Sequence, residues 1–248
     1  MIEAREVHKS FGSQKVLNGV SLKIETGERV VIIGRSGGGK SILLKHLIGL
    51  LQPDAGEVLV NGQRIDNQNE HRLLEVRRKF GMLFQGAALF DSLTVHENVA
   101  FALHRQGKWT DQEIRAKVTE ALEMVDLPGI EDKKPAELSG GMRKRVGLAR
   151  AIVYKPEIIL YDEPTTGLDP ISADSIDKMI VKISDRLNVT SIAVTHDMRS
   201  AGIIAQRILM LHQGKIYATG TPAEILKSTD PIVHRFVNGI SDPKEHNL

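Results

Sequence analysis

The sequence contains no cysteine. Disulfides, thiolate nucleophiles and cysteine metal sites are therefore excluded, and the absence is compatible with a reducing cytoplasm. Long apolar runs are missing too. The longest uninterrupted hydrophobic stretch, Val99 to Leu103, has five residues, whereas a membrane span needs about 20 predominantly apolar residues. No bilayer crossing is expected. The opening residues, Met1-Ile2-Glu3-Ala4-Arg5, show no basic region followed by an apolar stretch, so no secretory signal is expected. Neither sign of charge dominates: 33 Lys and Arg stand against 31 Asp and Glu, for a net charge of +2. That balance does not support nucleic-acid binding on charge alone. There is no internal repeat and no low-complexity segment. Any work at a membrane must be done from the side, through a partner.

What is present is ordinary globular composition, 41% hydrophobic and 26% charged over 248 residues. A chain of this length buries a full core without staples. It suggests one α/β body with an inserted or appended lobe. Residues 2–33 read as strands, the last a short apolar one, Glu28 to Ile33, ending in glycine. Leucines and isoleucines at helical spacing follow over 40–50. Gly56 to Gly62 and Phe80 to Phe84 read as strands. Residues 95–127 read as helical, broken at Gly107 and restarted at Thr110-Asp111-Gln112-Glu113, an N-cap with an acidic first turn. Residues 139–154 are helical again, opening at Ser139. Strand and helix then alternate: Glu157 to Asp162, Ile171 to Leu187, Thr190 to Thr195. Two late strands, Arg207 to Leu211 and Lys215 to Ala218, flank His212-Gln213-Gly214. This alternation implies a mostly parallel core sheet covered on both faces. The helix-only stretch, about 86–155, reads as a lobe inserted into the α/β body. The segment from Pro231 reads as a tail ending in the polar run Asp242 to Asn247.

Three segments carry chemistry. Gly34-Arg35-Ser36-Gly37-Gly38-Gly39-Lys40-Ser41 matches G-x-x-x-x-G-K-[ST] and lies between a strand and a helix. Its glycines let backbone N–H groups turn inward around phosphate oxygens, and the helix start adds positive potential. Lys40 supplies a full charge to the β- and γ-phosphates, and the Ser41 hydroxyl suits Mg²⁺. In Ile158-Ile159-Leu160-Tyr161-Asp162-Glu163, apolar residues end in paired acids. Beside a phosphate loop, Asp162 would bind Mg²⁺ through water and Glu163 would polarise the attacking water, since phosphoryl transfer depends on positioning and charge neutralisation. Leu138-Ser139-Gly140-Gly141-Met142 can make a second anion-binding helix start, although by itself it reads first as a plain N-cap.

Together, in this order, the segments resemble the nucleotide-binding subunit of ATP-binding cassette (ABC) transporters. The resemblance covers about residues 1–226. It extends to Gln85 after a strand, to Gly167-Leu168-Asp169, and to His196 after the strand Ser191 to Thr195. It implies the P-loop NTPase cassette fold: a mostly parallel core sheet, an N-terminal antiparallel β region and an inserted helical lobe. It implies a single cassette domain over 1–230, with a body of about 1–85 and 156–230, a lobe of about 86–155, and a tail from 231. The ligands implied are ATP, bound by Phe11 and by Gly34 to Lys40, Ser41 and Ile42, and Mg²⁺, held by Ser41, Gln85 and Asp162. Glu163, His196 and Gln85 are implied as catalytic. Ser139, Gly140, Gly141 and Met142 would reach the ATP of a second cassette, and Asp169 would help join the two. Phe11 matches the ring that stacks on adenine, and a hydrophobic loop anchor is its alternative. Two positions depart from the family pattern: Ile42 stands where many members have a second hydroxyl, and Met142 where the signature usually has Gln. Neither removes a phosphate ligand. The basic run Met142-Arg143-Lys144-Arg145 reads as a solvated helix face.

A narrower resemblance lies in Met82 to Val95 and in Asp230 to Gly239. Both are similar to the Mla/Mce branch, whose cassettes drive phospholipid transport across the bacterial envelope. It implies a homodimer at the cytoplasmic face of the inner membrane. The implied partners are a transmembrane permease, an Mce-domain lipid-binding protein and often a small STAS-domain partner. No nucleic-acid partner is implied. The apolar segment Gly86 to Phe90 is either a docking edge or lobe core. Competing readings are a transporter cassette for another substrate, a soluble cassette that remodels nucleic acid or ribosomes, and a silent scaffold. Intact Lys40, Asp162, Glu163 and His196 oppose the last.

Overall fold

In the computed structural model, which describes residues 1–241, the chain gathers into two compact units. One combines Met1–Val76 with the chain from Ala193 onward, and the other is Arg77–Ile192. The polar run from Asp242 to Asn247 lies outside the described residues.

The first unit begins with β1 (Ile2–Phe11) and β2 (Gln14–Ile24), paired antiparallel. Alternate apolar side chains, Leu22 and Ile24 facing Ala4 and Ile2, are buried, as a half-buried strand requires. Next come β3 (Arg29–Ile33) and α1 (Lys40–Leu47). Then β4 (Ala55–Val60) pairs antiparallel with β1, and β5 (Gln63–Arg64) closes the edge, giving the order β2-β1-β4-β5. Helix α2 (Glu70–Arg77) follows.

The second unit is built on β6 (Phe80–Leu83), helices α3 (Val95–Gln106) and α4 (Asp111–Met124), a 3-10 turn at Pro135–Glu137, α5 (Gly140–Ile152), β7 (Ile158–Asp162) and α6 (Pro170–Leu187). Strands β6 and β7 run parallel, from Phe80 opposite Ile158 to Leu83 opposite Tyr161. Val99, Leu103, Val118, Leu122, Val146 and Leu148 are fully buried, each contributing roughly 1.5–3 kcal/mol of burial. The chain returns to the first unit through β8 (Thr190–Thr195).

There it forms α7 (Met198–Ile204), β9 (Arg207–His212), β10 (Lys215–Gly220), α8 (Pro222–Leu226) and α9 (Pro231–Val237). Strand β9 lies parallel to β3, Val30 opposite Arg207 through Ile33 opposite Met210, and antiparallel to β10. The β3 residues Val30 to Ile33 are all fully buried, so the strand is apolar without alternation.

Three short helices, α2, α7 and α8, have no counterpart in the sequence reading. In α2 only Leu73 and Val76 are buried among mostly charged residues, so no apolar stripe announces it. The stretch read as a tail forms α9, with the Asp230 carboxylate accepting from Ile232 and Val233 N–H and Pro231 opening the helix. The unit boundaries fall after Val76 and Ile192, and within the second unit β6 pairs with β7 and packs with α5. An added Cβ at Gly147 of α5 would lie 2.9 Å from Leu83.

Candidate functional site

In the first unit, buried β3 delivers the chain into the glycine loop, and α1 carries it away. Gly38 N–H donates to the Arg35 carbonyl at 3.0 Å, closing a tight turn. A Cβ at Gly38 would meet Arg35 O at 2.9 Å, and one at Gly39 would meet Val16 Cγ1 at 3.0 Å. Gly39 also sits at φ 96°, in the left-handed region. Side chains at these two glycines would collide with the loop's own carbonyl and with β2, so the tight turn depends on their absence. Lys40 is 5% exposed, and its ammonium donates to the carbonyls of Gly34 at 2.8 Å and Arg35 at 3.0 Å. No side chain among the described residues caps α1. An uncapped helix start and an inward ammonium suit a polyanion. Ser41 and Ile42 are half-buried in the first turn of α1, and the Ile42 carbonyl pairs with His46 Nδ1 at 2.7 Å.

His196 follows β8 and is exposed. Asp197 N–H donates to Thr195 Oγ1 at 3.0 Å, and the Asp197 carboxylate caps α7, so the histidine's backbone is fixed on both sides. His196 lines one cavity of about 500 Å³ with Arg35 and Ser36 of the loop and with Arg235 and Phe236 of α9. Phe11 ends β1 as a 48% exposed residue, with Lys9 Nζ 5.7 Å from its ring centroid. It does not line that cavity.

In the second unit, Asp162 ends β7 and Glu163 follows, both buried at 8% exposure. Glu163 adopts φ 48°, rare for a residue with a Cβ. Thr166 Oγ1 donates to Glu163 Oε2 at 3.2 Å, and Thr166 N–H donates to the Glu163 carbonyl at 3.3 Å. Gln85 lies exposed just after β6. Ser139 caps α5, its Oγ accepting from Met142 N–H at 3.2 Å. Gly140 and Gly141 face the stretch after Gly167: a Cβ at Gly140 would lie 3.4 Å from Leu168, and one at Gly141 3.6 Å from Ser172 Oγ. Asp169 caps α6, accepting from Ile171 and Ser172 N–H at 3.0 Å each. Hydrogen bonds from Ser172 first hold its carboxyl below the ordinary value. The structure thus sets the signature beside the Gly167–Asp169 turn within one unit.

The expectation of a solvated basic face is corrected here. Lys144 is 5% exposed and donates to the carbonyls of Gln85 and Glu163. Burial holds its pKa below the ordinary lysine value, and the neighbouring Asp162 and Glu163 carboxylates offset this only in part. Arg145 donates to Ser175 Oγ at 2.8 Å, and only Arg143 is exposed. Arg150, also hidden from a sequence reading, donates to the carbonyls of Ala87 and Ala88 at 2.7 Å each. Pattern alone could not place these cations, because their partners are distant in sequence. The segment Gly86 to Phe90 is mixed: Ala87 is buried, while Phe90 is 44% exposed and lies 4.8 Å from the Phe101 ring.

The family model described as ABC transporter matches residues 17–166. The chain is 39% identical to the intermembrane phospholipid transport system ATP-binding protein MlaF of Haemophilus influenzae, over 98% of this chain and 92% of that protein. It is 43% identical to a probable ribonucleotide transport ATP-binding protein of Mycobacterium leprae, over 96% and 69%. A solved dimeric structure of an ATP-binding cassette in a post-hydrolysis state, bound to ADP and Pi, superposes with a TM-score of 0.82 at 33% identity, covering 90% of this chain and 99% of that one. The expected cassette fold, mixed α/β with antiparallel and parallel sheets, is borne out. The chain therefore belongs to the ABC transporter family and is an ATP-binding cassette that hydrolyses ATP.

Proposed function

We propose that this cassette powers phospholipid transport between membranes of the bacterial envelope. It would act as one of two identical copies bound to a transmembrane permease at the cytoplasmic face of the inner membrane. The lipid assignment draws on the similarity to the phospholipid-transport relative across nearly both full lengths. No described helix is long and apolar enough to cross a membrane, so substrate movement belongs to the permease. An Mce-domain lipid-binding protein and a STAS-domain subunit complete the proposed assembly, and nucleic acid has no part in it. The body (about 1–85 and 156–230) and lobe (about 86–155) would be the working parts of the cassette.

The observation that carries the catalytic reading is the buried acid pair, with Glu163 held at its side chain and its peptide. Lys40 and the loop N–H groups of 34–41 hold the phosphates, and Phe11 stacks on the base. Ser41, Gln85 and Asp162, the last through water, would hold Mg²⁺, which neutralises phosphate charge when bound. No cluster of three or more His, Asp or Glu capable of holding a metal occurs among the described residues. That fits an ion taking its remaining ligands from phosphate and water. Glu163 orients water and accepts its proton, His196 faces the γ-phosphate, and Ser139 to Met142 serve the partner's ATP. Ile42 takes part through its backbone. Asp169 couples the two copies.

Glu163→Gln tests the assignment. An amide cannot act as a base, so ATP binding should persist while turnover falls by about 100-fold or more. Turnover near the wild-type rate would overturn it. The substrate is tested by mass spectrometry of the gently solubilised complex captured with the full chain. Co-purified phospholipid and an Mce-domain protein are expected. The comparable identity to a ribonucleotide-transport relative makes another cargo the second reading, and a lipid-free complex with a receptor for a polar solute would favour it.

A further inference from the structure

One face of α5 grips the segment that follows β6. An added Cβ at Gly147 would lie 2.9 Å from Leu83 Cδ1 and 3.2 Å from Ala87 Cβ, so helix and segment touch. Three residues on, Arg150 holds the carbonyls of Ala87 and Ala88. Three residues back, Lys144 holds the Gln85 carbonyl and, at 3.3 Å, the Glu163 carbonyl. Positions three apart on a helix are neighbours on its surface. The gripped backbone is unfavourable by itself: Ala87, Ala88 and Glu163 lie at φ 60°, 50° and 48°. Residues with a Cβ keep such angles only where the surroundings hold them.

Lys144 is the member that reaches both sides. An ammonium has three donors and no acceptor, and here two of its acceptors are main-chain carbonyls of different motifs. We propose that Lys144 is a positioning residue for hydrolysis, its buried ammonium tying the peptide of Gln85 to the peptide of Glu163. The helix that opens at Ser139 thereby sets the glutamine and the water-orienting carboxylate together. The proposal rests on the reading of Glu163 as the base. A carboxylate is aimed by its own peptide, and a displacement of about 1 Å at a reacting group costs up to roughly 100-fold in rate.

The test compares the full chain with Lys144→Met, similar in length but without donors, Lys144→Gln, which keeps donors without the charge, and Glu163→Gln. Rates are compared at a temperature where circular dichroism shows every variant folded. Lys144→Met should lower kcat about tenfold or more while KM for ATP changes less than about twofold, because the phosphate loop is untouched. Amide exchange over residues 85–88 should rise about tenfold in that variant. Lys144→Gln should recover most of kcat and most of the protection. Wild-type kcat in Lys144→Met overturns the proposal. So does unchanged exchange over 85–88, or equal loss in the glutamine and methionine variants with kcat and KM failing together. Inactive Glu163→Gln beside active Lys144→Met defeats the positioning role alone. Active Glu163→Gln defeats the assignment beneath it.

Discussion

Lys40 shows how one side chain serves two ends. Its ammonium closes the glycine loop through the Gly34 and Arg35 carbonyls while lying where phosphate charge would gather. Lys40→Ala should therefore weaken ATP binding by about tenfold or more and abolish turnover, as measured by nucleotide titration and steady-state hydrolysis. Unchanged affinity and rate would mean that the loop is not the site. The basic run after the signature teaches the opposite lesson. Arg143, Lys144 and Arg145 are alike in sequence, yet one is exposed, one buried and one half-buried. The helical period separates them by about 100° per residue, and what each then meets is chosen by packing.

At the scale of the element, helix starts are written locally. Thr94 with Glu97, Thr110 with Glu113 and Thr221 with Glu224 all form reciprocal capping boxes, and each satisfies two backbone donors within one turn. Strand pairing is non-local. Next to the paired strands β3 and β9, Arg207 donates to Glu28 at 2.6 and 2.9 Å. Burial pushes the Glu28 carboxyl up, but Arg207 and the Glu25 N–H outweigh it and hold it below the ordinary 4.5. A carboxyl depressed by folding stabilises the fold above its unfolded pKa, and loses that contribution as pH falls through its folded value. Glu28→Gln should thus lower stability at neutral pH by about 1 kcal/mol. The gap to wild type should narrow in thermal melts as pH falls below 4.5 and through the lower folded-state value. A gap independent of pH would show that the charge is not what counts.

At the scale of the whole molecule, the chain holds one phosphate loop, on α1, and one signature, on α5. A closed site built from both therefore calls for a second cassette, and twofold pairing of identical chains is the commonest solution. In the proposed dimer ATP would favour the paired state by binding it better, and a permease holding two copies would raise their effective concentration. Full chains carrying Ser139→Arg and full chains carrying Lys40→Ala should each be inactive. Their equal mixture should regain up to about a quarter of the wild-type rate, since half the dimers then carry one intact site. Full activity of the Ser139→Arg chain alone would exclude the shared site.

The sequence by itself determined the features that depend on near neighbours: the phosphate loop between strand and helix, the acid pair ending β7, the Ser139 cap, and the breaks at Gly107 and Thr110. Spacing and side-chain chemistry decide these within a few residues, so they are legible without a fold. The short helices α2, α7 and α8 escaped because a single turn or two with few buried residues carries little periodic signal. Only the tertiary structure decided that α9 walls a cavity with Arg35 and His196, that Arg150 secures Ala87 and Ala88, and that Lys144 lies beneath Gln85 and Glu163. Such positions depend on which distant segments meet. A buried cation is tolerable only where carbonyls or carboxylates from elsewhere in the chain arrive to receive it.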